Sequence, residues 1–260
     1  MIDLHTHILP GLDDGASDMN EAVEMCRMAE SDGITTMVAT PHTGNGVYVN
    51  RRDRILAAVA ELNSRLSKEG INVRILPGAD VHINQDMTGM IEAGRALTLN
   101  DAGRYLLVEL PHQTVPPNLG DWIFTLKLSG ITPIITHPER NFVIRKNMEE
   151  LRKWVDLGAL VQITAMSVTG QFGTLAQHSA HEMLKGNLVH AIASDAHSIS
   201  GRPPILSRAR DAVARLTSES HAHDLVHTYP GMILDGKPVE ALQPLKGQVP
   251  GLMRRLLQLR

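Results

Sequence analysis

The sequence predicts an α/β protein whose seven strand-helix repeats favour a closed barrel over a doubly wound sheet. Apolar segments of strand length alternate with amphipathic helical segments along the whole chain. Several strands are continuous apolar runs, which is typical of parallel strands covered by helices. Metal-binding side chains recur where the predicted strands end, and in parallel barrels this rim carries the chemistry. The 260 residues, 43% of them hydrophobic, are enough for one large domain, predicted to span residues 1–260.

Each predicted strand is a short apolar run, and each predicted helix repeats apolar residues at intervals of three and four. The predicted strands are Ile2–His5, Thr35–Ala39, Val73–Pro77, Tyr105–Leu110, Thr132–Thr136, Ala159–Ile163 and Leu188–Ala193. The predicted helices are Met19–Ser31, Arg51–Glu69, Leu119–Leu128, Met148–Leu157, Gly173–Lys185, Ile205–Leu216 and His221–Thr228. Between the third and fourth strands, Val81–Gly103 breaks the alternation and is predicted to contain a short hairpin. Pro-rich and Gly-rich runs are confined to loops, so no linker is expected.

The charge and composition exclude several classes of function. The net charge is −3 and no long run of Lys and Arg occurs, so a nucleic-acid partner is not expected. The first residues lack the basic and apolar regions of a signal peptide, and no stretch of about 18 apolar residues suggests a membrane span. We therefore expect a cytoplasmic protein that reaches a membrane only through a partner. The single cysteine, Cys26, lies in a helical pattern and is predicted to be a packed helix residue.

Two histidines at the end of the first predicted strand form a His-x-His pair. Side chains at i and i+2 of a strand point the same way, so His5 and His7 can bind one metal ion. A chance occurrence remains open for this motif alone, because the chain contains 13 histidines.

The other strand ends carry the same kinds of side chain. These candidate ligands, with the His-x-His pair, are His5, His7, Asp14, His42, Asp80, Glu109, His137, Asp195 and His197. An aspartate at a strand end is often a helix cap, and a lone histidine is often structural. Their occurrence at six of seven strand ends is hard to explain by capping alone. Imidazoles and carboxylates together suit Mn, Fe or Zn, and their number predicts two or three metal ions.

The same rim carries two arginines, Arg140 and Arg202. A planar guanidinium matches the oxygens of a phosphate group. The alternative that these are ordinary surface arginines stays open from the spacing alone.

These motifs together resemble the PHP superfamily of polymerases and histidinol phosphatases, and within it the metal-dependent bacterial protein-tyrosine phosphatases of capsule and exopolysaccharide synthesis. The resemblance covers nearly the whole chain. It rests on the segments 3–15 (DLHTHILPGLDDG), 39–42 (ATPH), 76–80 (LPGAD), 107–111 (LVELP), 136–141 (THPERN) and 194–197 (SDAH).

The resemblance implies a distorted (β/α)7 barrel with a trinuclear site. The first metal would use His5, His7 and Asp195, and the second Glu109 and His137. The third would use Asp14, His42 and His197, with Asp80 bridging the first two. The related phosphatases have Glu at the position of Asp80, so the shorter carboxylate leaves this bridge in question. His82 stands where the subgroup often has arginine, and it either contacts substrate or faces solvent.

The implied function is phosphomonoester hydrolysis, most specifically protein-tyrosine phosphatase activity on a bacterial tyrosine kinase or another capsule-synthesis protein. Metals, with Mn favoured, would generate a hydroxide nucleophile, and Arg140 and Arg202 would hold the phosphate oxygens. No Cys-x5-Arg loop of the cysteine-dependent phosphatases occurs. The alternatives are a histidinol or sugar phosphatase, an amidohydrolase-type deacylase and a non-catalytic metal-binding regulatory module.

Overall fold

A computed structural model describes residues 1–239, in which nine strands form two all-parallel sheets. The three-stranded sheet has the order β1-β2-β4, and the six-stranded sheet has the order β3-β5-β6-β7-β8-β9. The strands are β1 (Ile2–Thr6), β2 (Thr36–Ala39), β3 (His42–Thr43), β4 (Arg74–Pro77), β5 (Asp80–His82), β6 (Tyr105–Glu109), β7 (Thr132–Thr136), β8 (Leu160–Thr164) and β9 (Ala191–Ala193).

Two of the seven barrel strands are broken, and each contributes one piece to each sheet, so the two sheets form one barrel. The second barrel strand consists of β2 and β3, with Pro41 in the break, where it cannot donate a ladder hydrogen bond. The third consists of β4 and β5, which are separated by Gly78. A Cβ at Gly78 would lie 2.9 Å from a Val38 methyl, so the close approach of the chains requires glycine.

The barrel closes between its first and last strands. The backbone N–H of Asp195 donates to the carbonyl of His5 at 2.9 Å, and that of His7 donates to Ala196 at 2.8 Å. These bonds place the end of β1 beside the end of β9, so residues about 190 positions apart share one rim. The predicted seven-stranded barrel is confirmed, including its distortion.

Eleven α-helices lie among the described residues. They are α1 (Met19–Ser31), α2 (Arg52–Lys68), α3 (Met87–Glu92), α4 (Leu119–Leu128), α5 (Phe142–Lys146), α6 (Met148–Asp156), α7 (Ala165–Thr169), α8 (Thr174–Lys185), α9 (Ser207–Leu216), α10 (Glu219–His223) and α11 (Tyr229–Leu234). Short 3₁₀ turns cover Leu99–Asp101 and Pro138–Arg140, and a π-helical turn covers Asp224–Thr228. Within residues 1–239, no helix has the length and apolar character needed to cross a bilayer.

Alternate residues of the strands pack on opposite sides of the barrel wall. Leu107 of β6 belongs to the small inner cluster, whereas Leu106 and Val108 pack with the outer helices. Helix α11 adds Ile233 and Leu234 to that inner cluster. Apolar side chains fill the inner cluster, and the polar candidate ligands lie at the opposite, C-terminal rim of the barrel.

The hairpin predicted within Val81–Gly103 is wrong. After β5 this segment forms α3 and the 3₁₀ turn at Leu99–Asp101. Buried Met87 and Met90 have helical spacing and pack into the main core, a signal too short to separate from a strand pattern. The predicted helix at His221–Thr228 begins earlier, at Glu219, and continues through the π-helical turn into α11. The single-domain prediction stays a prediction, since residues 240–260 lie outside the described part.

Candidate metal centre

All nine predicted metal ligands lie at or just beyond the C-terminal ends of the barrel strands, and ion-pair distances below 4 Å connect them into one cluster. Three groups of potential ligand atoms lie within 4.8 Å of one another. They are His7, Asp14, His42 and His197; His5, His7 and Asp80; and His42, Asp80 and Glu109. Asp195 and His137 lie outside these three groups but border them. Asp195 Oδ1 lies 3.3 Å from His7 Nε2, and His137 Nε2 lies 3.8 Å from Glu109 Oε1.

The separations between these atoms fit shared metal coordination. Two ligands that are each about 2.1 Å from one metal, at angles of about 90–110°, lie about 3.0–3.4 Å apart. The Nε2 atoms of His5 and His7 are 3.2 Å apart. Asp80 Oδ2 lies 3.4 Å from His42 Nδ1 and 3.6 Å from His5 Nε2. The donor set therefore fits divalent cations without large movements of the backbone.

Asp80 lies between two of the groups. Its side chain is fully buried, and its Oδ1 accepts a hydrogen bond from Thr136 Oγ1 at 3.3 Å. Its Oδ2, like His42 Nδ1, is buried without a hydrogen-bond partner among the described residues. A buried carboxylate oxygen without a partner is costly unless a cation neutralises it. The spacing of this oxygen from His42 Nδ1 and His5 Nε2 is the observation that best supports a metal at Asp80.

Hydrogen bonds orient three of the histidines so that Nε2 faces the cluster. The Nδ1–H groups of His7 and His5 donate to Asp13 Oδ2 at 2.6 Å and to Gln162 Oε1 at 2.9 Å. The Nδ1–H of His197 donates to the backbone carbonyl of Asp195 at 2.9 Å. Such outer hydrogen bonds fix the tautomer in which Nε2 carries the lone pair for a metal.

Asp13 has a role that the sequence analysis did not assign. Besides orienting His7, its Oδ2 accepts a hydrogen bond from the backbone N–H of His42 at 2.9 Å. Its Oδ1 accepts from Gly15 N at 3.0 Å, which forms a tight turn. A Cβ at Gly15 would lie 1.9 Å from the carbonyl oxygen of His7, so only glycine fits there. The Asp-Asp-Gly sequence after the His-x-His pair was the available signal.

Asp14, Glu109 and Asp195 are anionic at neutral pH. The hydrogen bond to His197 holds the pKa of Asp14 well below its usual range. Burial raises the pKa of Glu109, but the neighbouring imidazoles of His42 and His82 outweigh it and leave this pKa far below normal. Burial acts against ionisation of Asp195 too, yet His5, His7 and the two arginines keep its pKa well below normal.

The histidines differ in charge before any metal binds. Burial, followed by the charge of Arg140, lowers the pKa of His137 well below normal, so its imidazole is neutral and able to coordinate. Burial also lowers the pKa of His42, but Asp80 and Glu109 outweigh it and raise the value to about 11. A metal at this position must therefore displace a proton from His42.

Arg140 and Arg202 meet at one carboxylate oxygen. Arg140 Nη1 donates to Asp195 Oδ2 at 2.5 Å, and Arg202 Nη2 donates to the same oxygen. Glu139 anchors the 3₁₀ turn that carries Arg140, because its buried carboxylate accepts from Thr164 N at 3.0 Å. The two side chains are 19% and 26% exposed, which is unusual for ordinary surface arginines.

Two further side chains border the cluster. Phe172, which the sequence analysis did not single out, lies beside both arginines, with its ring centroid 5.1 Å from Arg140 Cζ and 5.6 Å from Arg202 Cζ. His82 is 31% exposed, and its Nδ1 lies 3.6 Å from Glu109 Oε2. His82 therefore contacts a candidate ligand while it also reaches solvent.

The cysteine predicted to pack in a helix does so. Cys26 is fully buried in α1, and burial raises the pKa of its thiol to about 12. A thiol in this state is a poor nucleophile.

Comparison with known proteins agrees with this cluster. Residues 1–235 match the family described as capsular polysaccharide synthesis, CpsB/CapC. The chain belongs to this family. Its relatives include the tyrosine-protein phosphatase YwqE of Bacillus subtilis, 42% identical over 202 residues that make up 78% of this chain and 79% of YwqE. The putative tyrosine-protein phosphatase CapC of Staphylococcus aureus is 38% identical over 80% of this chain and 81% of CapC.

Solved structures support the same relationship for this CpsB/CapC family member. One comes from a study of YwqE from Bacillus subtilis and CpsB from Streptococcus pneumoniae, described as unique metal-dependent tyrosine phosphatases. It superposes with a TM-score of 0.90 at 36% identity, covering 94% of this chain and 98% of the other. An organophosphorus hydrolase variant superposes with a TM-score of 0.56 at 13% identity, covering 90% and 92%, and shows the fold alone.

Proposed function

We propose that this protein is a metal-dependent phosphomonoester hydrolase that acts on phosphotyrosine in proteins of capsular or exopolysaccharide synthesis. The observation that carries the proposal is the convergence of nine imidazole and carboxylate side chains, with two arginines bordering the same cluster. The names of the relatives support the choice of phosphotyrosine over other phosphate esters.

The proposed metal ligands are the residues predicted from the sequence, divided among two or three ions. His5, His7 and Asp195 would hold the first ion, and Glu109 and His137 the second. Asp14, His42 and His197 would hold the third. The position of Asp80 supports a bridging role, because its carboxylate belongs to two of the three groups. Bound divalent ions lower the pKa of coordinated water toward neutrality and offset the negative charge of a phosphoryl group.

The arginines would bind the substrate phosphate. Both guanidiniums already converge on one oxygen of Asp195, a spacing that also suits two oxygens of a phosphate group. Asp195 Oδ1, which lies 3.3 Å from His7 Nε2, would hold the metal, and the substrate phosphate would compete with Oδ2 for the arginines. A phenolate with a pKa near 10 leaves more easily than an alkoxide, so a dedicated general acid is not required.

The finer predictions belong to this proposal. Manganese is the favoured metal, a bacterial tyrosine kinase is the favoured partner, and the cytoplasm is the predicted location. A histidinol or sugar phosphatase would use the same metals, and only the substrate separates it from the proposed activity.

The test is metal analysis of purified protein, followed by assays on p-nitrophenyl phosphate, a phosphotyrosine peptide and histidinol phosphate. We expect more than one equivalent of Mn, Fe or Zn, hydrolysis of both aryl phosphates, and loss of activity with a chelator. Full activity of metal-free protein would refute the metal dependence. Preference for histidinol phosphate would refute the substrate class, and metal binding without any hydrolysis would favour the regulatory alternative.

A further inference from the structure

A groove lies on the outer helical layer, and two of its helices follow Arg140 and Phe172 closely in the sequence. It encloses about 490 Å³ and includes residues of α5, α6 and α8 in its walls. Its walls carry four basic, one acidic and two exposed apolar side chains. These are Arg145, Lys146, Arg152, Lys185, Glu182, Phe142 and Leu175. A groove with this composition suits an extended acidic segment that also carries apolar residues.

The basic side chains of the groove are only partly neutralised. Lys185 pairs with Glu182 at 3.1 Å, and Arg152 lies 3.6 Å from Glu149. Within residues 1–239, neither Arg145 nor Lys146 forms an ion pair with an acidic side chain. Lys146 Nζ instead lies 4.0 Å from the ring centroid of Phe142. The α5 end of the groove therefore presents two cations that are free to attract carboxylates.

The groove is connected to the candidate metal centre along the chain. Helix α5 begins two residues after Arg140, and α8 begins two residues after Phe172, which contacts the Arg140 guanidinium. The 12 residues of α8 extend about 18 Å. An extended peptide covers this length with about five residues.

We propose that this groove binds an acidic segment of the protein substrate next to its phosphotyrosine. This inference rests on the proposed function. The phosphotyrosine would lie at Arg140 and Arg202, and flanking Asp or Glu residues would meet Arg145 and Lys146. Phe142 and Leu175 would contact apolar residues of the same segment. Exposed charge pairs contribute little energy each, so the groove would affect substrate affinity and association rather than the chemical step.

The test removes the two unpaired cations together, as Arg145→Gln with Lys146→Gln. The matched control is Lys68→Gln with Arg74→Gln, which removes the same charges from an exposed surface outside the groove. The substrates are an acidic phosphotyrosine peptide, the same peptide with Gln and Asn in place of Glu and Asp, and p-nitrophenyl phosphate. We expect KM for the acidic peptide alone to rise about fivefold at low salt, with kcat unchanged. The difference should shrink as salt rises.

Several results would overturn the groove assignment. An equal rise in KM for the neutral peptide or for p-nitrophenyl phosphate would show that the two cations act through general electrostatics. An equal effect of the control pair would do the same. Weaker binding to phosphatidylserine vesicles, with unchanged kinetics on the acidic peptide, would make the groove a lipid-binding surface. Absence of hydrolysis of all three substrates would refute only the proposed function. In that case, binding of the unphosphorylated acidic peptide, measured by fluorescence anisotropy, still tests the groove.

A second inference concerns Phe172. Its ring lies beside both guanidiniums, at 5.1 Å from Arg140 Cζ and 5.6 Å from Arg202 Cζ. These distances are within the range of cation–π contacts, and partial burial strengthens them. Phe172 occupies the turn between Gly170 and Gly173, both at positive φ, and its backbone N–H donates to the carbonyl of Met166 at 3.3 Å.

The geometry points to Phe172 as a positioning residue that holds Arg140 and Arg202 together at one edge of the cluster. This inference also rests on the proposed function. Phe172→Leu removes the aromatic face but keeps apolar volume, whereas Phe172→Tyr keeps the ring. Phe124→Leu is the control, because Phe124 is an exposed phenylalanine on α4.

The readout is the affinity of the metal-loaded protein for inorganic phosphate, measured by calorimetry, together with metal content and KM. For Phe172→Leu we expect about tenfold weaker phosphate binding and a higher KM, with metal content and kcat little changed. Phe172→Tyr should restore affinity to within about twofold. Unchanged phosphate affinity in Phe172→Leu would refute the role, and so would parallel loss of metal. The phosphate measurement requires no turnover, so it stays informative if the proposed hydrolysis fails.

Discussion

Asp80 provides the sharpest test of the metal centre, because it differs from the glutamate expected at this position. Its Oδ2 already lies 3.4 Å from His42 Nδ1 and 3.6 Å from His5 Nε2, close to the spacing of ligands that share a metal. The backbone of the barrel therefore suits the shorter carboxylate. Asp80→Glu would extend the side chain by one C–C bond, about 1.5 Å. Metal–ligand distances tolerate only about 0.2 Å.

We expect Asp80→Glu to weaken metal binding by about tenfold to a hundredfold, at least the range typical when a group that orients a metal ligand is changed. The longer side chain would also crowd a fully buried position. Asp80→Ala should lose metal more completely, because it removes the negative charge shared between two candidate groups. The assay is metal content after dialysis, followed by calorimetric titration with Mn. Asp53→Glu is the control, since Asp53 is an exposed residue of α2.

Metal binding by the two Asp80 variants distinguishes a barrel adapted to aspartate from a site weakened by the shorter side chain. Equal or tighter metal binding in Asp80→Glu would refute the argument that the barrel has adapted to aspartate, and would indicate a site weakened by the shorter side chain. Normal metal content in Asp80→Ala would remove Asp80 from the set of ligands. Circular dichroism separates either result from loss of fold.

Three further predictions test the nucleophile, the ligand turn and the pH dependence of stability. Cys26→Ala should leave kcat on p-nitrophenyl phosphate unchanged, because the buried thiol has a pKa raised to about 12; a loss of several orders of magnitude in folded protein would contradict this. Gly15→Ala should reduce metal content and lower Tm, because its Cβ would lie 1.9 Å from the carbonyl oxygen of His7; normal values would refute the close approach. Burial lowers the pKa of His190 to about 4 from 6.5, so the unfolded chain binds the extra proton as pH falls between these values. Between pH 7.5 and pH 5, the unfolding free energy of the wild-type protein should therefore fall by about 2 kcal/mol more than that of His190→Gln, measured by urea unfolding. Parallel pH profiles of the two proteins would contradict this.

The sequence alone determined the barrel and the kinds of side chain at its rim. Helices α1 and α4 and strand β7 have the predicted bounds, because their apolar patterns have one clear period. The nine candidate ligands were also identifiable, since the C-terminal ends of parallel strands must share one edge. Short elements such as α3 and α5 were missed, because six or fewer residues carry too little periodicity.

The tertiary structure decided how these side chains are oriented and which ones share a site. Gln162 orients His5 across 157 positions of sequence, and Phe172 contacts both arginines from a separate turn. Neither contact leaves a local pattern, because each depends on which strands are neighbours and how the barrel closes. The same holds for Asp80, where the sequence shows a missing methylene but only the packed barrel shows an oxygen at the distance that a metal requires.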